Sequence, residues 1–134
     1  MSNEFSRNIN DASFIVSRAL PTADGTVTST TIDLECGAYF APENVELEVT
    51  VPDLTAVQLP TADTITMTVQ AGAATGPTTE LFRLPVITSS SGYVGGVFRY
   101  RLPSSCPRYL NVKFVAAGGT GDISASAATI KLLF

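Results

Sequence analysis

Apolar and polar residues alternate with a period of two through most of this chain, and that period commits it to strands. The clearest case runs from Val45 to Val51. Val45, Leu47, Val49 and Val51 fall on one side, and Glu46, Glu48 and Thr50 on the other. Thr64 to Gln70 repeats the pattern, with Ile65, Met67 and Val69 set against Thr64, Thr66, Thr68 and Gln70. Successive side chains of a strand point to opposite faces, so each segment offers one face to a core and one to its surroundings. The periodic segments are rich in Thr, Val and Ile, which lose side-chain freedom in helices and fit pleated surfaces. No convincing helical stripe competes with this reading.

Eight segments carry the signal: Ser13–Arg18, Val27–Leu34, Val45–Val51, Thr64–Gln70, Glu80–Thr88, Val94–Leu102, Tyr109–Ala116 and Ile123–Phe134. Turn residues separate them, among them Ala23-Asp24-Gly25, Pro52-Asp53, Pro60 with Asp63, and Gly118-Gly119-Thr120-Gly121-Asp122. Eight short strands with turn signals argue an antiparallel sandwich or barrel. Pro85 interrupts the fifth segment and marks it as an edge or a bulge. A change of phase near Ala127-Ala128 predicts a bulge in the last one. Ser89-Ser90-Ser91-Gly92 reads as a flexible tip, and the two glycine clusters read as hairpin turns. Phe82, Phe98 and Phe114 fall on core positions by alternation.

A chain of 134 residues is expected to form one domain, with residues 13–134 as the sandwich and residues 1–12 as a polar N-terminal arm. Phe5 and Ile9 give that arm apolar anchors for ordering against a neighbour. The end of the chain in the apolar run Ile130 to Phe134 suggests a closed β unit without a functional tail. Only 15% of the residues are charged, against roughly 25% in ordinary soluble domains. Either the chain is simply a Thr-rich β-protein, or much of its surface is covered by a partner, since interface cores are depleted of charge in this way. The net charge of −4 argues against nucleic acid, which selects a basic stripe. Residues 1–80 carry −9, with eleven acids and two bases, while residues 81–134 carry +5, with one acid and six bases. Either the halves interleave and the charges pair internally, or they segregate into an acidic and a basic face that orient docking.

The N-terminus lacks the apolar core of a signal peptide, and no run is long enough to cross a bilayer as a helix, so no membrane partner is expected. Cys36 and Cys106 allow one disulfide without requiring it, and free thiols are the expectation in a protein made in the cytosol. With no histidine and no Cys-x-x-Cys pair, no zinc site is expected.

Catalytic chemistry finds little to use. Histidine, the usual general base, is absent. The serines sit in turns or at alternating strand positions. Glu46 and Glu48 lie on one strand face about 7 Å apart, a spacing that imitates a glycosidase pair, but surface acids on an exposed sheet face explain them as well. Arg99 and Arg101 share the same spacing, so a cross-strand or cross-subunit ladder of Glu46 and Glu48 with Arg99 and Arg101 is the favoured arrangement. Neither glycine cluster leads from a strand into a helix, which removes a phosphate loop. Asp122 is a turn acid without the further oxygens that calcium needs. Tyr39 and Phe40, in a loop, are candidate interface anchors. No cofactor and no enzymatic activity are expected.

The order of motifs resembles a known family. Ala19-Leu20-Pro21 ends the first strand, and Ile32-Asp33-Leu34 and Val45-Glu46-Leu47-Glu48-Val49-Thr50-Val51-Pro52 follow. Then come Thr64 to Gln70, Arg99-Tyr100-Arg101-Leu102-Pro103, Arg108-Tyr109-Leu110 and a Gly-Gly-Thr turn before the final strand. This order is similar to that of the small capsid cement, or decoration, proteins of tailed bacteriophages. The resemblance implies an all-β, antiparallel jelly-roll-like β-sandwich of about eight strands. It implies a structural virion protein on the outer capsid surface, made in the host cytoplasm. The implied partners are the major capsid protein, whose subunits it bridges, and itself as homodimer or homotrimer. The candidate contacts are Phe5, Arg7 and Ile9 of the arm, Tyr39 and Phe40, and the face of Glu46, Glu48, Arg99 and Arg101. The rival reading is a carbohydrate-binding jelly-roll module, as in a head fibre or adhesion domain.

Overall fold

The computed structural model describes residues 15–34, 45–103, 105–119 and 121–133. Among these residues ten strands occur in this order: β1 (Ile15–Ala19), β2 (Thr26–Thr28), β3 (Ile32–Asp33), β4 (Glu46–Val51), β5 (Thr64–Gly72), β6 (Glu80–Arg83), β7 (Ile87–Thr88), β8 (Gly96–Arg101), β9 (Tyr109–Ala117) and β10 (Ala127–Leu133). No helix occurs among the described residues. One sheet has the order β1-β10-β4-β8, and the other β2-β9-β5-β6, with β3 also on β9 and β7 also on β5. All pairings are antiparallel.

The pairing is nested. β1 lies on β10, β2 and β3 on β9, β4 on β8, and β6 and β7 on β5. The first part of the chain therefore runs against the last, the second against the last but one, and so inward, as in a long hairpin. The hairpin is rolled so that β4 meets β10 and β5 meets β9. That is the jelly-roll arrangement of a two-sheet sandwich.

Ten strands replace the eight read from sequence because two segments are each cut once. Pro85 separates β6 from β7, as an imino acid does when it can donate nothing to the ladder. The Thr-rich second segment divides at Ser29. Its backbone N–H donates to Val112 O at 2.9 Å, and its Oγ accepts from Val112 N–H at 3.0 Å. A side chain thus takes the place of a carbonyl, and the register shifts by one residue between Thr28↔Lys113 and Ile32↔Leu110.

Inward-facing residues of both sheets form one core. Leu47, Val49 and Val51 of β4, Ile65, Met67 and Val69 of β5, Leu110, Val112 and Phe114 of β9, and Ile130 and Leu132 of β10 are all buried. Phe114 is fully enclosed, whereas Phe82 and Phe98 are only half-buried. They belong to β6 and β8, edge strands of the two sheets. Phe82 instead stacks across the gap on Tyr100, with ring centroids 3.5 Å apart and planes at 17°.

The outer face of the six-stranded sheet is not uniformly solvated. Thr68, Gln70 and Asn111 are buried there, the last two beneath residues 73–79, which strap across the face. Gln70 Nε2 donates to Thr78 O at 3.1 Å, Asn111 Nδ2 to Pro77 O at 3.0 Å, and Gly76 N–H to Thr31 Oγ1 at 3.3 Å.

Three local expectations are corrected. The final strand has no bulge at Ala127-Ala128. It begins at Ala127, and Ile123 is buried from a preceding turn closed by Ser126 N–H on Ile123 O at 3.0 Å. The two glycine clusters are not hairpin turns, since β7 and β8, like β9 and β10, lie in different sheets. They are corners, and Gly118 (φ +124°) adopts a backbone that other residues rarely reach. The Ser89–Gly92 tip is pinned rather than loose. Ser89 is buried, its Oγ donates to Leu59 O at 2.7 Å, and it accepts from Gly92 N–H at 2.9 Å.

Ser29→Ala removes the acceptor that Val112 N–H uses in the interior. Urea denaturation is expected to show a loss of about 1–3 kcal/mol, with the denaturant slope unchanged.

Candidate functional site: the charged face of the four-stranded sheet

β4 lies between β10 and β8, so its outward residues have neighbours on both sides. The register places Lys131, Glu48 and Arg99 in one cross-strand row, and Leu133, Glu46 and Arg101 in the next but one. Glu48 Oε2 accepts from Arg99 Nε at 2.8 Å, and its Oε1 lies 3.3 Å from Lys131 Nζ. Glu46 Oε2 lies 4.0 Å from Arg101 Nη2. The ladder of Glu46 and Glu48 with Arg99 and Arg101 is therefore an intrachain feature, and Lys131 is a fifth member that spacing alone did not reveal. Its signal was its place on the last strand, which nested pairing brings beside β4.

The two carboxylates have different surroundings. Glu46 is partly solvated, but the Glu48 side chain is only 7% exposed, against 56% for Arg99 and 28% for Lys131. Glu48 is thus not the surface acid that alternation suggested. Two cations roof it, and each oxygen has its own cationic neighbour. Both of its oxygens are engaged by cations in this arrangement. Removing the carboxylate leaves cations that water can solvate. Removing the cations leaves a buried carboxylate without a partner, which is the costlier loss.

Arg108 forms the second strong pair. Its Nε and Nη2 reach Asp33 Oδ1 and Oδ2 at 2.7 and 2.9 Å, a bidentate contact between β3 and the start of β9, and its guanidinium lies 5.2 Å from the Tyr109 ring centroid. Asp33 and Glu46 and Glu48 come from the acidic part of the chain, and Arg99, Arg101, Arg108 and Lys131 from the basic part. The halves interleave, and the sequence asymmetry is consumed in pairing at these positions.

Of the other candidate contacts, Phe5, Arg7, Ile9, Tyr39 and Phe40 lie outside the described residues, as does Cys36. Cys106 is buried. A cavity of about 380 Å³ is lined by Leu54, Thr88, Ser90, Ser91, Gly92, Tyr93 and Val94. Tyr93 alone of these is ionisable, and burial pushes its phenol above the ordinary 10.0, so it stays neutral near pH 7. Asp122 sits in its own turn, where hydrogen bonds from the side chain and backbone of Ser124 hold its carboxyl below the ordinary 3.8. Among the described residues, no group of three or more His, Cys, Asp or Glu is placed to hold a metal ion.

No protein-family model matches the chain, and no curated protein matches it either. Among solved structures, it is similar to a chain of the Cowpea Mosaic Virus empty virus-like particle, at 10% identity and a TM-score of 0.46, over 100% of this chain and 83% of that one. It is also similar to a chain described under "CBM4 structure and function", at 13% identity and a TM-score of 0.39, over 86% and 74% of the two chains. Likeness at this level decides nothing about function.

Replacing Arg99 and Lys131 together by Ala strips the cationic roof from Glu48. Equilibrium unfolding at pH 7 is expected to show a loss of roughly 3 kcal/mol. Arg101→Ala, which disturbs only a long and partly solvated pair, is expected to stay within about 0.5 kcal/mol of the parent.

The Asp122 shift has a definite sign. The turn's carboxylate hydrogen bonds are fully present above the ordinary aspartate value and are lost as pH falls through the lower folded value. An NMR titration is expected to place the Asp122 midpoint below 3.8, and Ser124→Ala to move it upward.

Proposed function

We propose that this chain is a structural virion protein, a capsid cement or decoration subunit. It binds the outer surface of a phage head and bridges major capsid protein subunits. The observation that supports this best is the surface around β8. Val97, Arg99, Tyr100 and Arg101 are exposed together on a strand held by the Glu48 ion pairs. Aromatic residues and arginine are enriched in the cores of protein interfaces, and lysine, glutamate and aspartate are depleted. The motif order that resembles the decoration proteins runs through the same segment, Arg99-Tyr100-Arg101-Leu102-Pro103.

The physical logic needs no chemical step. A shell subunit is held at many weak seams, and packed DNA loads each of them. A brace that holds two subunits must leave both before a seam opens. Its second contact is intramolecular once the first has formed, so modest affinities multiply. The β8 surface supplies one contact in this scheme. The arm of residues 1–12, with Phe5, Arg7 and Ile9, supplies another to the shell or to a second copy, in a homodimer or homotrimer. On this reading the protein has no enzymatic role, and no nucleic-acid or membrane partner.

The carbohydrate-binding alternative has one specific observation in its favour, the cavity in which Thr88, Ser90 and Ser91 lie beside Tyr93. Hydroxyls next to a ring are a combination that sugars can use. Glycan-array binding by the purified protein, lost on Tyr93→Ala, would favour it over the brace.

Co-sedimentation of the purified protein with heads lacking it is the direct test. Saturable binding at micromolar concentration is expected. Arg101→Glu is expected to weaken it about ten-fold, about 1.4 kcal/mol. No binding at that concentration overturns the reading.

A further inference from the structure

β8 is an edge strand, and its free side is built for pairing. Its register on β4 is unbroken from Glu46↔Arg101 to Val51↔Gly96, and Leu102 N–H continues it by donating to Val45 O at 3.0 Å. In an antiparallel ladder, alternate residues turn their backbone groups toward the partner. Leu102, Tyr100 and Phe98 therefore face β4. Val97, Arg99 and Arg101 direct their N–H and C=O groups off the sheet, where no strand lies among the described residues. Val97 is 56% exposed and Tyr100 40%. β8 contains no proline and no bulge, the devices that usually spoil an edge.

The side chains specify what the edge accepts. On the outer face, the same three residues present Val97, Arg99 and Arg101. On the inner face, Tyr100 is exposed and stacks on Phe82, and Phe98 is half-buried. A second copy of β8 fits poorly. Antiparallel self-pairing in the register of greatest overlap, with Val97 opposite Arg101, sets Arg99 directly against Arg99 of the other copy, and like charges directly opposite are destabilising. β4 shows the complement on the other side of the same strand, with acids at alternate positions and apolar residues between. We propose that the free edge of β8 takes an extended polypeptide of that pattern from a different protein. The segment adds a fifth strand, with acids beside Arg99 and Arg101 and apolar side chains over Tyr100 and Phe98. Main-chain bonds would carry affinity, and the alternating side chains would carry selectivity. The inference goes beyond the capsid reading, since it holds for any protein that offers such a segment.

The probe is a fluorescein-labelled, N-acetylated hexapeptide TEVEVT, followed by anisotropy with the intact protein. It is expected to bind at least ten-fold more tightly than TKVKVT and the scrambled TEEVVT. N-methylation of the peptide amides that face β8 is expected to abolish binding without any change to the protein. Val97→Pro removes an N–H that β4 does not use, so it is expected to keep the thermal midpoint within a few degrees and weaken TEVEVT at least ten-fold. Equal binding of the three peptides overturns the proposal, as does full binding of the N-methylated peptide or by a folded Val97→Pro variant. A dimer seen by sedimentation equilibrium and lost in Val97→Pro assigns the edge to a second copy and overturns it as well. None of these outcomes depends on whether the protein binds phage heads.

Discussion

Every feature of this molecule depends on strands far apart in sequence pairing in one nested register. β1 on β10, β2 and β3 on β9, and β4 on β8 must each close a long loop before they gain any contact. In the nested order the β5–β6 hairpin is local in sequence, and each further pair encloses the pair inside it. A one-residue slip in any pair would turn Leu47 and Val49, or Leu110 and Val112, out of the core. The apolar alternation thus fixes the register, and the register places the charged groups. The ion pairs of Glu46, Glu48 and Asp33 are consequences of the core, not its cause.

Nested pairing also accounts for the lopsided charge of the chain. A hairpin rolled on itself lays its first half against its second, so an acidic half and a basic half meet row by row. Arg99 and Lys131 converge on Glu48, Arg101 nears Glu46, and Arg108 clamps Asp33. Yet the pairing is not neutral everywhere. Arg99, Arg101 and Lys131 outnumber Glu46 and Glu48, so this face carries local positive charge on a molecule of net charge −4. That is the arrangement in which a partner is oriented by one patch while the rest of the surface repels an acidic target.

Much of the sandwich was legible in the sequence because alternation reports directly on which side chains meet the core. The strands around Val49, Val69 and Val112 stand where the pattern puts them. The Glu–Arg spacing also anticipated the ladder. What stayed hidden needed three dimensions. Period two says which residues share a face but not what covers that face, so Glu48 read as a surface acid and Gln70 as facing away from the core, and nothing marked Asn111 as buried. Lys131 roofs the first, and the strap of residues 73–79 covers the others. The glycine clusters misled for a related reason: a turn residue marks a reversal of direction but not whether the next strand returns to the same sheet. Ser89 and Ser29 read as loop and strand serines, because nothing in the chain reports that their hydroxyls close buried hydrogen bonds with Leu59 and Val112.

The rigidity of β8 bears on what its edge can do. Most exposed edges are blunted or mobile, and a mobile edge must be ordered when a partner arrives, which subtracts from affinity. β8 is held on one side by an unbroken ladder to the central strand β4, from above by the ion pair of Arg99 with Glu48, and from within by the Phe82–Tyr100 stack. Its backbone groups are therefore fixed before any contact forms. The Arg99 guanidinium that ties the strand to its inner neighbour is also a charge that disfavours a second copy. One residue thus serves both order and selectivity, and weakening Glu48 would loosen the edge as well as the sheet.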